Sequence, residues 1–206
     1  MTSNFDETIY SKEFVMTNKL DFSARDSQTG VAPLFVERWS PRAFEKVAIE
    51  GDVLKRIFDA ARWSPSCFNA QPWRFYTSTE NSFAEFLDLL VEGNQGWAKD
   101  TSVIGFLVAE KNFEHNGKPN AFAQFDSGAA WMGMTLQARM EGLYTHGMGG
   151  IHADKAADYL GIDTDTQEVI MGFTIGKLAQ LTQEQAQVEV PNERKALDQI
   201  WFERES

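Results

Sequence analysis

Arg38-Trp39-Ser40-Pro41-Arg42 sets two guanidinium groups and a hydroxyl close together in a chain whose formal net charge is -11. A planar guanidinium fork matches phosphate and other flat anions. Pro41 restricts the backbone before it to extended conformations, so the short segment holds its shape. Two readings follow for the arginines: an anion-binding corner, or pairing with surface acids.

Upstream of this corner, residues 1–30 are polar, charged and weakly periodic. They read as an extension, mobile or wrapped over another surface, that carries no nameable chemistry. The division expected is an N-terminal extension over residues 1–33 and one domain over residues 34–206. Downstream, Val53, Leu54, Ile57, Phe58 and Ala61 share one face of a helix, with Asp52 as its N-cap. Then comes Trp63-Ser64-Pro65-Ser66-Cys67-Phe68-Asn69-Ala70-Gln71-Pro72-Trp73, a polar loop bounded by two prolines, leading into a strand at residues 74–77. Either this is an ordinary helix-to-strand connection or its Asn69 and Gln71 have a purpose between buried-type aromatics.

A second helix is expected over residues 83–91, broken by Gly93-Asn94-Gln95-Gly96-Trp97. Residues 102–108 form an uninterrupted apolar run of strand length, which suits a strand buried on both faces. Residues 121–141 form a long helix, apolar nearly all round and hence central or at an interface. The glycines of residues 142–151 let backbone amides approach a ligand, but the pattern lacks a third glycine and follows a helix, so it is no dinucleotide fingerprint. Asp154 is expected to cap a helix at residues 155–160, and residues 168–177 form a further buried strand.

Composition narrows the class. Acids outnumber bases 30 to 19, which argues against nucleic acid and anionic membranes as partners. No apolar run reaches membrane-spanning length, and the start lacks the pattern of a signal peptide, so a cytoplasmic protein is expected. A single cysteine, Cys67, allows no intrachain disulfide, and His115, His146 and His152 are not spaced as metal ligands. Six tryptophans and 16 phenylalanines exceed what a core needs and suggest an interface or a flat ligand. Cys67 reads as a packed residue, His146 as a structural donor, and Met132, Met134 and Met140 as core filler. Phe68 and Trp97 either line a pocket or bury area.

Four segments carry a resemblance: the Arg38 to Arg42 corner, the loop from Pro65 to Trp73, the glycines from Gly147 to Gly150, and Arg194-Lys195 in the tail. Their order and spacing resemble the FMN-dependent nitroreductase family over about residues 34–201. The resemblance implies an α+β fold with a central mixed β-sheet flanked by helices. It also implies an intertwined homodimer with FMN at the subunit interface, and transfer of electrons from NADH or NADPH to nitroaromatics, quinones or related oxidised small molecules. On this resemblance Arg38 meets the FMN phosphate, Trp39 contributes main chain only, Ser40 lies near the ribityl chain or ring edge, and Arg42 lies near the pyrimidine edge. A cation there stabilises reduced flavin. Pro65, Ser66, Cys67 and Asn69 match the loop that reaches the partner's flavin. Gly149 and Gly150 match the turn facing the flavin, with Met148 against the ring; Arg194 matches the basic residue that returns to the phosphate, and Asn94 an asparagine near the ring.

Many members carry a glutamate where Gly149 stands, which leaves that contact to the backbone. No side chain of this chain is assigned as catalytic, since the cofactor carries the chemistry and Arg42, Gly149 and Gly150 tune it. The resemblance implies hydride transfer from NAD(P)H to flavin and then to an acceptor at the same ring face. Two alternatives remain: a flavin-dependent dehalogenase or oxidase on the same fold, and a non-catalytic flavin-binding protein.

Overall fold

Val103–Glu110 (β3) is buried along nearly its whole length, as an uninterrupted apolar strand requires when both sheet faces are covered. The computed structural model describes Phe22, Arg25, residues 29–182, Ala186 and residues 189–204. Most of the expected N-terminal extension therefore lies outside the described residues. The elements that precede β3 are α1 (Pro33–Glu37), β1 (Phe44–Glu45), α2 (Gly51–Arg62), β2 (Trp73–Thr77), α3 (Phe83–Asp88) and α4 (Glu92–Ala98). After it come α5 (Ala123–Met140), β4 (Tyr144–Met148), α6 (Ala153–Leu160) and β5 (Gln167–Leu178).

β5 is the hub of the sheet. It pairs with β1, β3 and β4, and β3 pairs in turn with β2. All of these pairings are antiparallel, so the expected mixed sheet has no parallel pair among the described residues. The mixed sheet is implied by the resemblance alone, because periodicity reports burial and is blind to strand direction. Successive side chains of β3 face opposite ways. Leu107 enters one cluster with Ile57 and Ala61 of α2, Ala130, Met134 and Ala138 of α5, and Phe173 and Ile175 of β5. Ile104 and Phe106 enter another with Phe83 and Phe86 of α3, Ala98 of α4 and Ala156. Helices therefore cover both faces, giving the α+β architecture expected, at about 1.5–3 kcal/mol for each large apolar side chain fully buried.

Four local readings are corrected. Gly93 and Gly96 do not break the chain but lie inside α4, where the glycine penalty is offset by Gln95 Nε2 donating to Leu90 O (2.7 Å) and Asn94 Nδ2 to Gly150 O (2.9 Å). Residues 142–151 are not one glycine turn: Tyr144–Met148 is a strand, and a Cβ at Gly147 would meet Trp131 Cζ2 at 3.3 Å. Glu50, not Asp52, holds the N-cap of α2; Asp52 lies in the first turn and pairs with Lys55 at 3.0 Å. His152 likewise occupies the cap position of α6 in place of Asp154.

Candidate functional site

Arg38 terminates α1, its N–H donating to Leu34 O (3.1 Å). Burial, with the charge of Arg194 adding to it, pushes the Arg38 guanidinium below its ordinary value. The two residues come from opposite ends of the chain, and among the described residues neither takes part in an ion pair with an acid. Arg194 Nη1 spends its hydrogen bonds on Asn192 O (3.2 Å) and Glu193 O (2.8 Å). A third guanidinium, which sequence reasoning passed over, joins them: Arg25, 9% exposed, is pushed down to about 10 by burial, Arg194 and Arg38. Nothing in the pattern around Arg25 marks it, since a lone arginine in a polar segment is ordinary.

The rest of the corner is held by β4. His146 donates its Nδ1–H to Pro41 O (2.7 Å), which makes it the structural donor expected. Burial pushes its imidazole below the ordinary value; Arg42 adds to this, while Pro41, Glu189 and Ser40 oppose it. Arg42 is exposed, and its backbone N–H donates to Glu189 Oε2 (2.9 Å). Trp39 is 3% exposed and meets Tyr144 edge-on at 6.4 Å, so its ring is core, as expected of a residue offering main chain only. The His146 ring also lies 4.6 Å from that of Trp97, on α4, which packs against Phe44. Trp97 thereby belongs to the packing around the corner.

Along the same α4, Asn94 reaches the glycine turn through its bond to Gly150 O, and Val91 N–H donates to that oxygen at 3.1 Å. The corner and the turn are thus joined across β4 and α4. A Cβ at Gly150 would lie 2.6 Å from Asn94 Nδ2 and 2.8 Å from Val91 Cγ2, whereas at Gly149, which is exposed, it would meet nothing within 4 Å. Met148 is 4% exposed, its side chain within the cluster of Phe106 and Leu90.

The Pro65 to Asn69 loop stands apart. Ser64 Oγ donates to Ala129 O (3.2 Å), Cys67 N–H to Asp126 Oδ2 (2.9 Å) and Gln71 N–H to Ser66 Oγ (3.0 Å), so two anchors lie on α5. Asp126 is 4% exposed and was also missed, being one acid in a helix read as apolar. Phe68, Asn69 and Gln71 have positive φ (52°, 54° and 46°), a costly conformation for residues with a Cβ. The Phe68 ring is 80% exposed beside Phe113 (5.7 Å) and His115 (6.0 Å). Among the described residues no hydrogen bond, ion pair or ring contact joins residues 65–69 to residues 38–42. Met132 and Met140 are also corrected: they are 36% and 42% exposed, whereas Met134 is fully buried as expected.

The chain is similar to known proteins. The chain is 41% identical to a crystal structure described as an oxidoreductase containing FMN, over 87% of this chain and 94% of that one, with a TM-score of 0.81. It is 24% identical to the CLA biosynthesis enone reductase of Lactiplantibacillus plantarum, over 73% of this chain and 86% of that protein. It is also 24% identical to a protein of Xanthomonas oryzae pv. oryzae (strain PXO99A) whose name pairs NADH dehydrogenase with NAD(P)H nitroreductase, over 72% of each chain. Among the described residues no helix is long and apolar enough to cross a membrane. The profile of the Nitroreductase family matches residues 36–96 and 87–177, covering both the arginine corner and the strands that carry the site, and the chain belongs to that family.

Proposed function

We propose that this chain is an FMN-dependent oxidoreductase that takes electrons from NADH or NADPH and passes them, in two successive half-reactions, to a nitroaromatic, quinone, enone or related oxidised small molecule. The observation that carries the reading is that the backbones bearing Arg38 and Arg194 are tied together by Arg25, at Arg38 O (2.7 Å) and Asn192 O (2.8 Å), while neither arginine pairs with an acid among the described residues. Such a pair suits a phosphate, whose charge offsets their repulsion and whose oxygens accept from guanidinium forks. The open surface at Gly149 suits the close approach of a flat ring to the backbone. The resemblance to an FMN-containing oxidoreductase and to proteins named as enone reductase and NAD(P)H nitroreductase supports the same assignment.

FMN, when bound, supplies the electron chemistry. The chain supplies binding, orientation and charge. Arg38 and Arg194 hold the phosphate, Ser40 and the main chain of Trp39 border the cofactor, and exposed Arg42 favours the negative charge of the reduced state. His146 fixes the backbone between Ser40 and Arg42 through Pro41 O. Asn94 braces Gly150, so that the amides of Gly149 and Gly150 keep their position.

The loop bearing Pro65, Ser66, Cys67 and Asn69 completes the site of a partner subunit in a homodimer. Exposed Trp63 (75%), Phe125 (78%) and Phe68 (80%), on and beside α5, support such an interface. The aromatic group of Phe68, Phe113 and His115 suits a flat acceptor. A spectrum of the purified protein, followed by anaerobic addition of NADH and then NADPH, tests the reading. Flavin absorbance bleached by either nucleotide and restored by an acceptor is expected; protein that takes up no added FMN overturns it.

A further inference from the structure

Two described residues ahead of the family-matched region are built into the arginine corner. Phe22 packs against the cluster of Trp39, Phe44 and Tyr144, and Arg25 N–H donates to Phe22 O (2.8 Å), so both residues are held at the corner. The Arg25 guanidinium makes three bonds to backbone carbonyls. Nη1 donates to Val36 O (2.8 Å) and Arg38 O (2.7 Å), and Nε donates to Asn192 O (2.8 Å).

Two of these carbonyls lie at the C-terminal end of α1, where orphan oxygens and the negative end of the helix dipole favour a cation. The third lies two residues before Arg194. One planar fork therefore ties the backbone that carries Arg38 to the backbone that carries Arg194. A lysine cannot do the same, because its point charge lacks the rigid fork.

We propose that Arg25 is a positioning residue of the cofactor-phosphate site, which clamps the backbone carrying Arg38 and Arg194 at the spacing a phosphate needs. The inference rests on the FMN reading above. A buried guanidinium is a poor tie between the segments of two other cations, half-buried Arg38 and exposed Arg194, if stability alone is served, since like charges repel and this one is desolvated. Its presence makes sense where an anion completes the group. Both guanidiniums are pushed below their ordinary values, Arg25 by burial and the charges of Arg194 and Arg38, and Arg38 by burial and the charge of Arg194, in keeping with this crowding.

The test uses the purified full chain freed of flavin, titrated with FMN and with riboflavin, which carries the same ring and ribityl chain without the phosphate. For the native chain, tighter binding of FMN than of riboflavin is expected. Arg25→Met, close in volume and uncharged, should weaken FMN by about tenfold or more, the scale of a lost charged hydrogen bond, and leave riboflavin unchanged. Arg25→Lys should lose most of the same preference, since charge without the fork does not clamp, and it serves as the second variant if the methionine protein does not fold. A variant that weakens both flavins equally, or only lowers the melting temperature, overturns the inference and leaves the FMN reading standing. A native chain that binds neither flavin overturns the FMN reading instead. In that event inorganic phosphate decides the clamp: a rise in melting temperature for the native chain that Arg25→Lys lacks supports it, and equal behaviour overturns it.

Discussion

Replacing Asp126 by alanine should loosen the loop at residues 65–71 and cost about 2–3 kcal/mol of stability. Three residues of this loop hold positive φ, each at about 1–2 kcal/mol for a side chain with a Cβ, so roughly 3–6 kcal/mol must be offset locally. Within the loop the offset comes from Asn69 N–H to Ser66 O, Ala70 N–H to Cys67 O and Gln71 N–H to Ser66 Oγ, all at 3.0 Å. These bonds shape the loop but do not fasten it. The bond from Cys67 N–H to Asp126 Oδ2 fastens it to α5, and a bond to a charged acceptor contributes about 1.5–3 kcal/mol. Alanine removes it and also the favourable carboxylate near the N-terminus of α5, at about 0.3–1 kcal/mol. Asparagine keeps an acceptor for Cys67 and should cost only about 1 kcal/mol. Urea unfolding at one protein concentration measures both, and FMN titration should show the alanine protein weakened more than the asparagine protein. Equal stability of the two variants, or no loss in either, would refute the argument that Asp126 holds the strained turn.

Arg38→Ala should lower FMN affinity by about 1.5–3 kcal/mol, the worth of a charged hydrogen bond; an unchanged titration removes Arg38 from the site. Gly149→Ala should leave urea stability within about 0.5 kcal/mol of the native value, because its Cβ meets nothing, yet weaken FMN, because that free space is the cofactor's in the proposed site. Gly150→Ala should instead destabilise the fold by about 1–3 kcal/mol, because its Cβ collides with Asn94 and Val91. His146 titrates below its ordinary 6.5 in the folded chain, so between that lower value and 6.5 the unfolded chain binds the extra proton. Its contribution to stability is therefore present above 6.5 and falls away as pH drops through 6.5. His146→Gln should flatten that part of the stability profile measured by urea unfolding from pH 5 to 8, and an unaltered profile would exclude His146 as its source.

How far the fold can be read from sequence depends on which physical signal each element carries. α2 is legible because its apolar residues repeat with helical period, and β3, α5 and β5 because each is a nearly continuous apolar stretch of strand or helix length. β4 is not, because Gly147 and Gly149 resemble a turn; the need for glycine at 147 comes from Trp131 and Met171, residues distant in sequence. α4 is hidden for a similar reason, being a helix with two glycines stabilised by bonds to Leu90 and Gly150. Within the proposed site, Arg38 and Arg194 stand out in the sequence through the motifs that carry the family resemblance. Arg25 and Asp126 have no motif; each matters only for the backbone it meets in space, Asn192 in one case and Cys67 in the other.

The same separation in space bears on assembly. His146, Trp97 and Asn94 join the arginine corner to the Gly150 turn of the proposed site directly. The loop at residues 65–69 and the preceding Ser64 are fixed instead to α5, through Asp126 and Ala129. α5 also exposes Phe125, Met132 and Met140 beside those anchors. If that apolar face pairs with a second copy, the helix that buries it carries the loop along, and loop placement and dimer formation become one event. Flavin affinity should then fall on dilution together with the dimer fraction. A sedimentation series at fixed FMN, in which flavin stays bound to monomer, would separate the two events and return the loop to its own chain's site.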